Sequence, residues 1–407
     1  MVLSINHNRC DLCGECIKAC PFGALTIKDE RVEISAACRM CRICLKKCPN
    51  KALLAADGIR KTADKSNWKG VLVFAEHMEG RIHPVTLELI GKANELGAKI
   101  DHPVYCIFIG HGITEKAREL LNYGVDKIFV YDHEEFACFR EDLYSNAFED
   151  CIKKSKPSIV LVGATAVGRS LAPRLSTRFR TGLTADCTVL DVKENSDLIQ
   201  IRPAFGGNIM AQIVTESSRP QFATVRYKVM EKARFIDNFS EKLTASEISE
   251  KIEICRLPGS KMKSKIEILK VMPKEKEVSI SDAEIIVAGG RGFKDKKDLE
   301  MLEEMASLLG GQTAVTRPLV EAGWAPYTKQ IGLSGRTVRP RLIITCGISG
   351  AVQFTACMNT SECIIAINND KNAPIFQAAH YGFIGDLYEI LPLLCDEIRK
   401  REIRNAV

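Results

Sequence analysis

The sequence predicts an α/β protein in three folded parts: a small cysteine-rich α+β module, then two domains that are each built on a largely parallel sheet. Three observations carry that prediction. Eight of the 17 cysteines fall within the first 48 residues, in two copies of one spacing, and so short a unit cannot build a sufficient core without metal. From Gly70 onward apolar strands alternate with helical segments, the pattern of βαβ units. A second alternation of the same kind starts at about Ala283, after a stretch rich in Lys and Glu.

The module occupies residues 1–56, with short strands near 24–27 and 31–35. The polar stretch 57–67 reads as a tether. The first α/β domain, 68–272, has strands at 70–75, 104–109, 127–130 and 158–162 and helices near 85–96, 115–121, 141–154 and 168–178. It then turns to β-rich alternation through 188–192, 198–202, 209–214 and 223–226. Residues 259–281, with Pro273 inside, read as an extended inter-domain connection. The second α/β domain, 273–407, has strands at 284–288, 342–346 and 363–366 and helices near 296–309, 351–357 and 386–400.

A chain of 407 residues with 46% hydrophobic content is long enough for several packed cores. The net charge of +6 is spread over 57 basic and 51 acidic residues. No basic tail or aromatic-basic interleaving appears, so no nucleic-acid partner is expected. A local basic group at Arg39, Arg42, Lys46 and Lys47 is suited to steering an acidic redox partner. The longest apolar runs, 341–346 and 363–367, fall far short of the roughly 20 residues a bilayer span needs. The start, Met1-Val2-Leu3-Ser4-Ile5, lacks a basic leader and an apolar core of signal length, so a cytoplasmic location is expected. The nine later cysteines, Cys106 to Cys395, are mostly flanked by apolar residues and read as small buried hydrophobes.

The first cysteine motif is Cys10-x-x-Cys13-x-x-Cys16-x-x-x-Cys20-Pro21 and the second is Cys38-x-x-Cys41-x-x-Cys44-x-x-x-Cys48-Pro49, 28 residues later. This spacing is that of two-cluster bacterial ferredoxins, in which three cysteines of a run hold one [4Fe–4S] cluster and the fourth crosses to the other. Cys10, Cys13, Cys16 and Cys48 are therefore assigned to one cluster, and Cys38, Cys41, Cys44 and Cys20 to the second. Structural zinc is the competing reading; two complete copies, each followed by proline, favour clusters.

In the C-terminal part the strand at 284–288 runs into Gly289-Gly290-Arg291-Gly292. The strand at 342–346 runs into Gly347-Ile348-Ser349-Gly350-Ala351 before a helix. Glycines at strand-to-helix turns let backbone N–H groups approach a phosphate. With Arg291 and Arg317 nearby, the two turns favour an anionic dinucleotide.

The segments Gly163-Ala-Thr-Ala-Val-Gly168-Arg169-Ser-Leu-Ala-Pro173-Arg174, Thr181-Gly-Leu-Thr-Ala-Asp186-Cys187-Thr188 and Arg202-Pro-Ala-Phe-Gly206-Gly207-Asn208-Ile-Met resemble electron-transfer flavoprotein α subunits. Gly347-Ile-Ser-Gly-Ala-Val-Gln353, Ala366-Ile-Asn368 and Ala373-Pro-Ile-Phe376 are similar to that family's FAD site. The resemblance runs from about Lys69 to the C-terminus. It implies two Rossmann-like domains, the first without flavin in this subunit and the second holding one FAD and swivelling against a β-subunit partner in a heterodimer. Carried over by motif, Arg291 neighbours the FAD phosphates, while Thr316 and Arg317 border the isoalloxazine ring. Gln330, Ile331, Gly332, Leu333 and Ser334 form the loop at the ring edge, with the Ser334 hydroxyl bonding a flavin nitrogen. Ser349, Gly350, Ala351, Val352 and Gln353 form the turn over the diphosphate and ring, and Asn368, Asp386 and Leu387 lie at the adenosine end. A guanidinium at Arg317 would favour anionic reduced flavin. The sequence departs from the family at Phe354, where histidine is common, and at His380 in Ala379-His380-Tyr381-Gly382, where aspartate is common. The first change removes a donor near the flavin pyrimidine edge.

These resemblances imply electron relay, with no acid–base residue or nucleophile in this chain. The leading expectation is the α subunit of an electron-bifurcating complex. In it a β-subunit flavin oxidises NADH, one electron passes through this chain's FAD to an acyl-CoA dehydrogenase-like partner such as a caffeyl-CoA reductase, and the other reaches ferredoxin. A second expectation reverses the traffic, with reduced ferredoxin assisting a lactate dehydrogenase in oxidising a 2-hydroxy acid. A third is a nucleotide-binding scaffold whose clusters are structural.

Overall fold

The structure is a computed structural model that describes residues 2–35, 37–39, 41–56, 63–78, 80–204, 209–272 and 279–405. Two compact units divide the chain, Met1–Ala63 and Asp64–Val407. In the small unit the strand Val2–Ile5 pairs antiparallel with Leu53–Ala56, so the first and last strands close the module on each other. A hairpin joins Leu25–Lys28 to Arg31–Ile34, through Asp29 and Glu30 at φ +45 and +55, the left-handed pair that a tight hairpin turn requires. The core is small: Leu3, Leu25, Val32 and Leu53, with Cys16 and Cys44 among them.

In the large unit a seven-stranded sheet runs in the spatial order Leu183–Cys187, Gln221–Val225, Ile159–Gly163, Val71–Ala75, Val104–Gly110, Lys127–Asp132 and Ile252–Ile254. Every pairing is parallel. Its central strands are almost continuous apolar runs, because helices cover both faces. Leu89 and Leu96 of helix Pro84–Ile100 lie in the core on one face; Phe148 of Glu141–Ser155 and Leu171 of Ala166–Arg178 lie in the core on the other. His83 caps the first of these helices and proline follows in its first turn, where its missing N–H costs nothing. A separate antiparallel sheet joins Val189–Val192, Leu198–Ala204 and Ile209–Val214; residues 205–208 of the Arg202–Asn208 motif lie outside the described residues.

The second sheet has six parallel strands in the order Gln330–Ile331, Gln312–Thr316, Ile285–Gly289, Leu342–Cys346, Cys363–Asn368 and Tyr381–Ile384. Five strands of the two parallel sheets go beyond the sequence reading: Leu183–Cys187, Ile252–Ile254, Gln312–Thr316, Gln330–Ile331 and Tyr381–Ile384. They are short, or carry polar residues that hydrogen-bonding to an apolar neighbour holds in register. The helix expected over 296–309 divides into a 3-10 turn, Lys296–Leu299, and an α-helix, Glu300–Leu308.

The connection over 259–281 is pinned where it is described. Asp142 accepts from the Ser264 hydroxyl and the Lys265 N–H, each at 2.9 Å; residues 273–278, with Pro273, lie outside the described residues. So do residues 57–62 of the expected tether. Its later part, Lys65–Asn67, is a 3-10 turn, and Lys65 Nζ reaches the buried Asp197 carboxylate at 2.8 Å, which also takes Arg219 at 2.6 Å. Among the described residues no helix is long and apolar enough to cross a membrane.

Candidate functional site

Two short helices position the cysteines of the small unit. Glu15–Lys18 is entered through Gly14 at φ +74, and Ile43–Lys47 through Arg42 at φ +63. Each left-handed residue turns the chain so that the cysteine two residues on, Cys16 or Cys44, points inward and is only 7% exposed. Cys10, Cys13, Cys16 and Cys48 line one cavity, walled by Ile5, Val32 and Leu53. Cys20, Cys38, Cys41 and Cys44 line another, walled by Leu3, Phe22 and Leu25. The Ala24 N–H donates to Cys20 Sγ and the Ala52 N–H to Cys48 Sγ, both at 3.3 Å, bonds of the kind that stabilise charge on a ligand sulfur. Among the described residues no three His, Cys, Asp or Glu side chains close on the position of a single metal ion. Four soft sulfurs around a void, with apolar walls, suit an iron–sulfur cluster. Burial pushes the thiols of Cys16 and Cys44 above their ordinary value, so a coordinated metal must supply the charge that makes them thiolates.

In the large unit a cavity of about 1020 Å³ opens at the carboxyl ends of Ile285–Gly289 and Leu342–Cys346, where the strand order reverses and nucleotides characteristically bind. The two glycine turns there pack backbone on backbone. Gly290 N–H donates to Cys346 O at 3.0 Å and Gly292 N–H to Gly347 O at 2.9 Å, and a Cβ on Gly290 would stand 2.5 Å from Gly347 O. Arg291, Lys294, Arg317, Arg202 and Arg226 border the cavity against Asp186, Asp370 and Asp386. That excess of cations fits a diphosphate.

Of the residues expected at the flavin, the cavity brings together Arg291, Thr316, Arg317, Gln330, Ile331, Gly332, Leu333, Ser334, Ser349, Ala351, Gln353, Phe354, Asn368, Asp386 and Leu387. Gly350 and Val352 are not among its walls. Gly350, at φ +87, is buried under the turn, where a Cβ would stand 2.2 Å from Ile375 N; Val352 opens a one-turn helix and is 47% exposed. Several walls are preorganised. Gln330 Nε2 donates to Ser334 Oγ at 2.9 Å, which leaves the Ser334 O–H to point elsewhere. The Leu333 N–H donates to Gln353 O at 2.9 Å, locking the two loops together. Asn368 donates to Ile348 O at 2.9 Å and so fixes the second glycine turn. Arg317 pairs with Glu321 at 2.7 Å on the exposed rim. Phe354, 5% exposed, packs with Ile348 and Met358. His380 accepts the Ile364 N–H on Nδ1 at 2.9 Å and is not among the cavity walls.

Sequence reasoning missed one wall. Asp186, Arg202, Pro203, Ala204 and Arg226, all of the first α/β domain, also line the cavity. Arg226 donates to Leu333 O at 3.1 Å and lies 3.6 Å from Asp186. Asp186, at φ +58, is held by Arg169 through two bonds and by the Thr224 hydroxyl. Asp186 and Arg202 sit in the family-like runs quoted above, which was the available signal.

Three family models match parts of the chain. An electron transfer flavoprotein domain matches residues 71–252, an electron transfer flavoprotein FAD-binding domain matches 279–359 and a 4Fe-4S binding domain matches 3–26. The lactate dehydrogenase (NAD(+),ferredoxin) subunit LctC of Acetobacterium woodii is 56% identical over 94% of this chain and 90% of its own. The electron transfer flavoprotein subunit alpha of Clostridium acetobutylicum is 43% identical over 83% of this chain and 98% of its own. The acryloyl-CoA reductase electron transfer subunit beta of Anaerotignum propionicum is 36% identical over 83% of this chain and 98% of its own.

Proposed function

Because this chain belongs to the family of electron transfer flavoprotein α subunits, with a 4Fe-4S module at its N-terminus, we propose that it relays single electrons in a ferredoxin-dependent complex that oxidises a 2-hydroxy acid such as lactate with NAD+. The observation that carries this reading is the match to the lactate dehydrogenase subunit, which takes in 94% of the chain. That leaves too few residues outside for the cysteine module to be missed, whereas the acryloyl-CoA reductase subunit is matched over 83% of this chain at 36% identity. The enoyl-CoA-reducing complex that the sequence put first is therefore the weaker reading.

On this reading residues 1–56 hold two [4Fe–4S] clusters, 57–67 link them to the rest, 68–272 form a domain without its own flavin and 273–407 hold FAD. The partners are an electron transfer flavoprotein β subunit, a flavin-dependent 2-hydroxy-acid dehydrogenase and ferredoxin, all in the cytoplasm. FAD supplies a centre that takes up one or two electrons, and the clusters supply one-electron relays. Arg291 beside the glycine turns is suited to the diphosphate. Ser334, its oxygen already taken by Gln330, has a proton to donate toward a ring nitrogen. Phe354 excludes water where a histidine would donate. The test is purification of the native complex with flavin and iron counts and identification of its largest partner. NAD+ reduction by lactate that depends on reduced ferredoxin supports the proposal; an enoyl-CoA-reducing partner in its place sinks it.

A further inference from the structure

The two halves of the small unit, residues 7–23 and 35–51, are matched in geometry and unequal in charge. Gly14 at φ +74 corresponds to Arg42 at φ +63, and Gly23 at φ +57 to Lys51 at φ +49. Cysteine burial is matched too, since Cys13 and Cys41 are both exposed and Cys16 and Cys44 are equally buried. Charge breaks the symmetry. In the first half Arg9 and Lys18 are balanced by Asp11 and Glu15; the second half has Arg39, Arg42, Lys46, Lys47 and Lys51 and no acid. Asp11 borders the cavity of Cys10, Cys13, Cys16 and Cys48, while Arg39, which stands at the equivalent position, borders the other together with Arg42. Two of these cations occupy left-handed backbone positions that glycine would fill without steric cost.

We propose that the second half is the docking face for an acidic one-electron carrier protein, which exchanges electrons at the site of Cys20, Cys38, Cys41 and Cys44. This rests on the reading that the cysteine cavities hold clusters. With corresponding cysteines matched in burial, the electrostatic field decides which end an acidic carrier meets, and complementary charge acts mainly on encounter rate and orientation. Arg39, Lys46, Lys47 and Lys51 are exposed, so the preference fades as the screening length shrinks with salt.

The test uses the whole purified complex, an acidic two-cluster ferredoxin as probe, and Lys18 as a matched control for Lys46, because the two occupy the corresponding position, the fourth, of the two short helices. Zero-length carbodiimide coupling followed by peptide mapping should link the probe to Lys46, Lys47 or Lys51 and not to Lys18. Lys46→Glu should weaken binding at low ionic strength about fivefold, and Lys18→Glu less than about twofold, with the difference vanishing at high salt. Equal effects of the two variants, coupling at Lys18, or no binding by a complex that shows its cluster absorbance would each overturn the port. Absence of cluster absorbance would instead remove the reading beneath it.

Discussion

Both parallel sheets of the larger unit wind outward from their first strand, Val71–Ala75 in one and Ile285–Gly289 in the other. In each the second and third strands lie on one side and the fourth on the other. Such winding leaves a crevice at the carboxyl ends of the first and fourth strands, and the two sheets treat that crevice differently. In the second sheet the chain leaves both strands through glycines, and the cavity of about 1020 Å³ stands open. In the first, the chain leaves through Glu76 and through Thr165. Glu76 is 9% exposed and accepts the Thr165 hydroxyl at 2.7 Å, while Thr165 caps helix Ala166–Arg178. The helix end that would face a phosphate faces the chain's own carboxyl group. Winding makes the crevice, and the turn residues decide whether a ligand can enter it.

The contrast extends to buried charge. Among the described residues the buried acids Glu76, Glu88 and Asp197 all belong to the first α/β domain. Burial pushes the Glu88 carboxyl up to about 7, although backbone N–H groups at Lys228 and Met230 oppose the shift.

Four experiments test the difference between the two crevices. Gly350→Ala should have the largest effect, because a Cβ at φ +87 lying 2.2 Å from Ile375 N adds backbone strain to overpacking, about 3–5 kcal/mol together. The purified complex should lose the one FAD of this chain and keep its cluster absorbance and the flavins of its partners; a full flavin complement would show that close packing of the turns does not make the cavity. Next comes pH. The folded state favours protonated Glu88, so its contribution is fully present below the ordinary carboxylate value and is lost as pH rises to about 7, roughly 3 kcal/mol in all. Calorimetry should show the first domain's transition falling in temperature between pH 5 and 7.5 while the second domain's does not follow, and Glu88→Gln should flatten that slope. Arg291→Gln removes a charge-assisted contact of about 2 kcal/mol, so FAD should bind some 10- to 100-fold more weakly in equilibrium dialysis. The smallest effect is expected of Glu76→Gln. Burial also raises this carboxyl, so the amide should bring a slight gain in melting temperature at pH 8 that disappears at pH 4, with the flavin count unchanged. A rise in flavin content would mean that charge, not filled space, closes the first crevice.

Much of the architecture was legible because its signals are local. Cysteine spacing is set by a few bonds, and the central strands of the first sheet are apolar runs bounded by turns. Gln312–Thr316 was not legible, since it becomes a strand by pairing with Ile285–Gly289 and not by its own pattern. The glycine turns announced the cavity, yet Gly350 serves beneath it as a point of close approach, which depends on Ile375, 25 residues away. Asp186, Arg202 and Arg226 reach the cavity from another domain, a juxtaposition that no spacing encodes. The substrate was least legible, because on the proposed reading the residues that would choose it belong to another polypeptide.

One feature of the small unit bears on how it is made. Each cysteine cavity draws three residues from one half of the repeat and its fourth, Cys48 or Cys20, from the other. Neither half can therefore complete its own site, and filling one cavity draws the crossing cysteine of the other half toward its place. If both cavities take clusters as proposed, a cell short of iron should hold chains with both sites filled and chains with neither, so that scarcity would lower the number of complete units without creating half-filled ones.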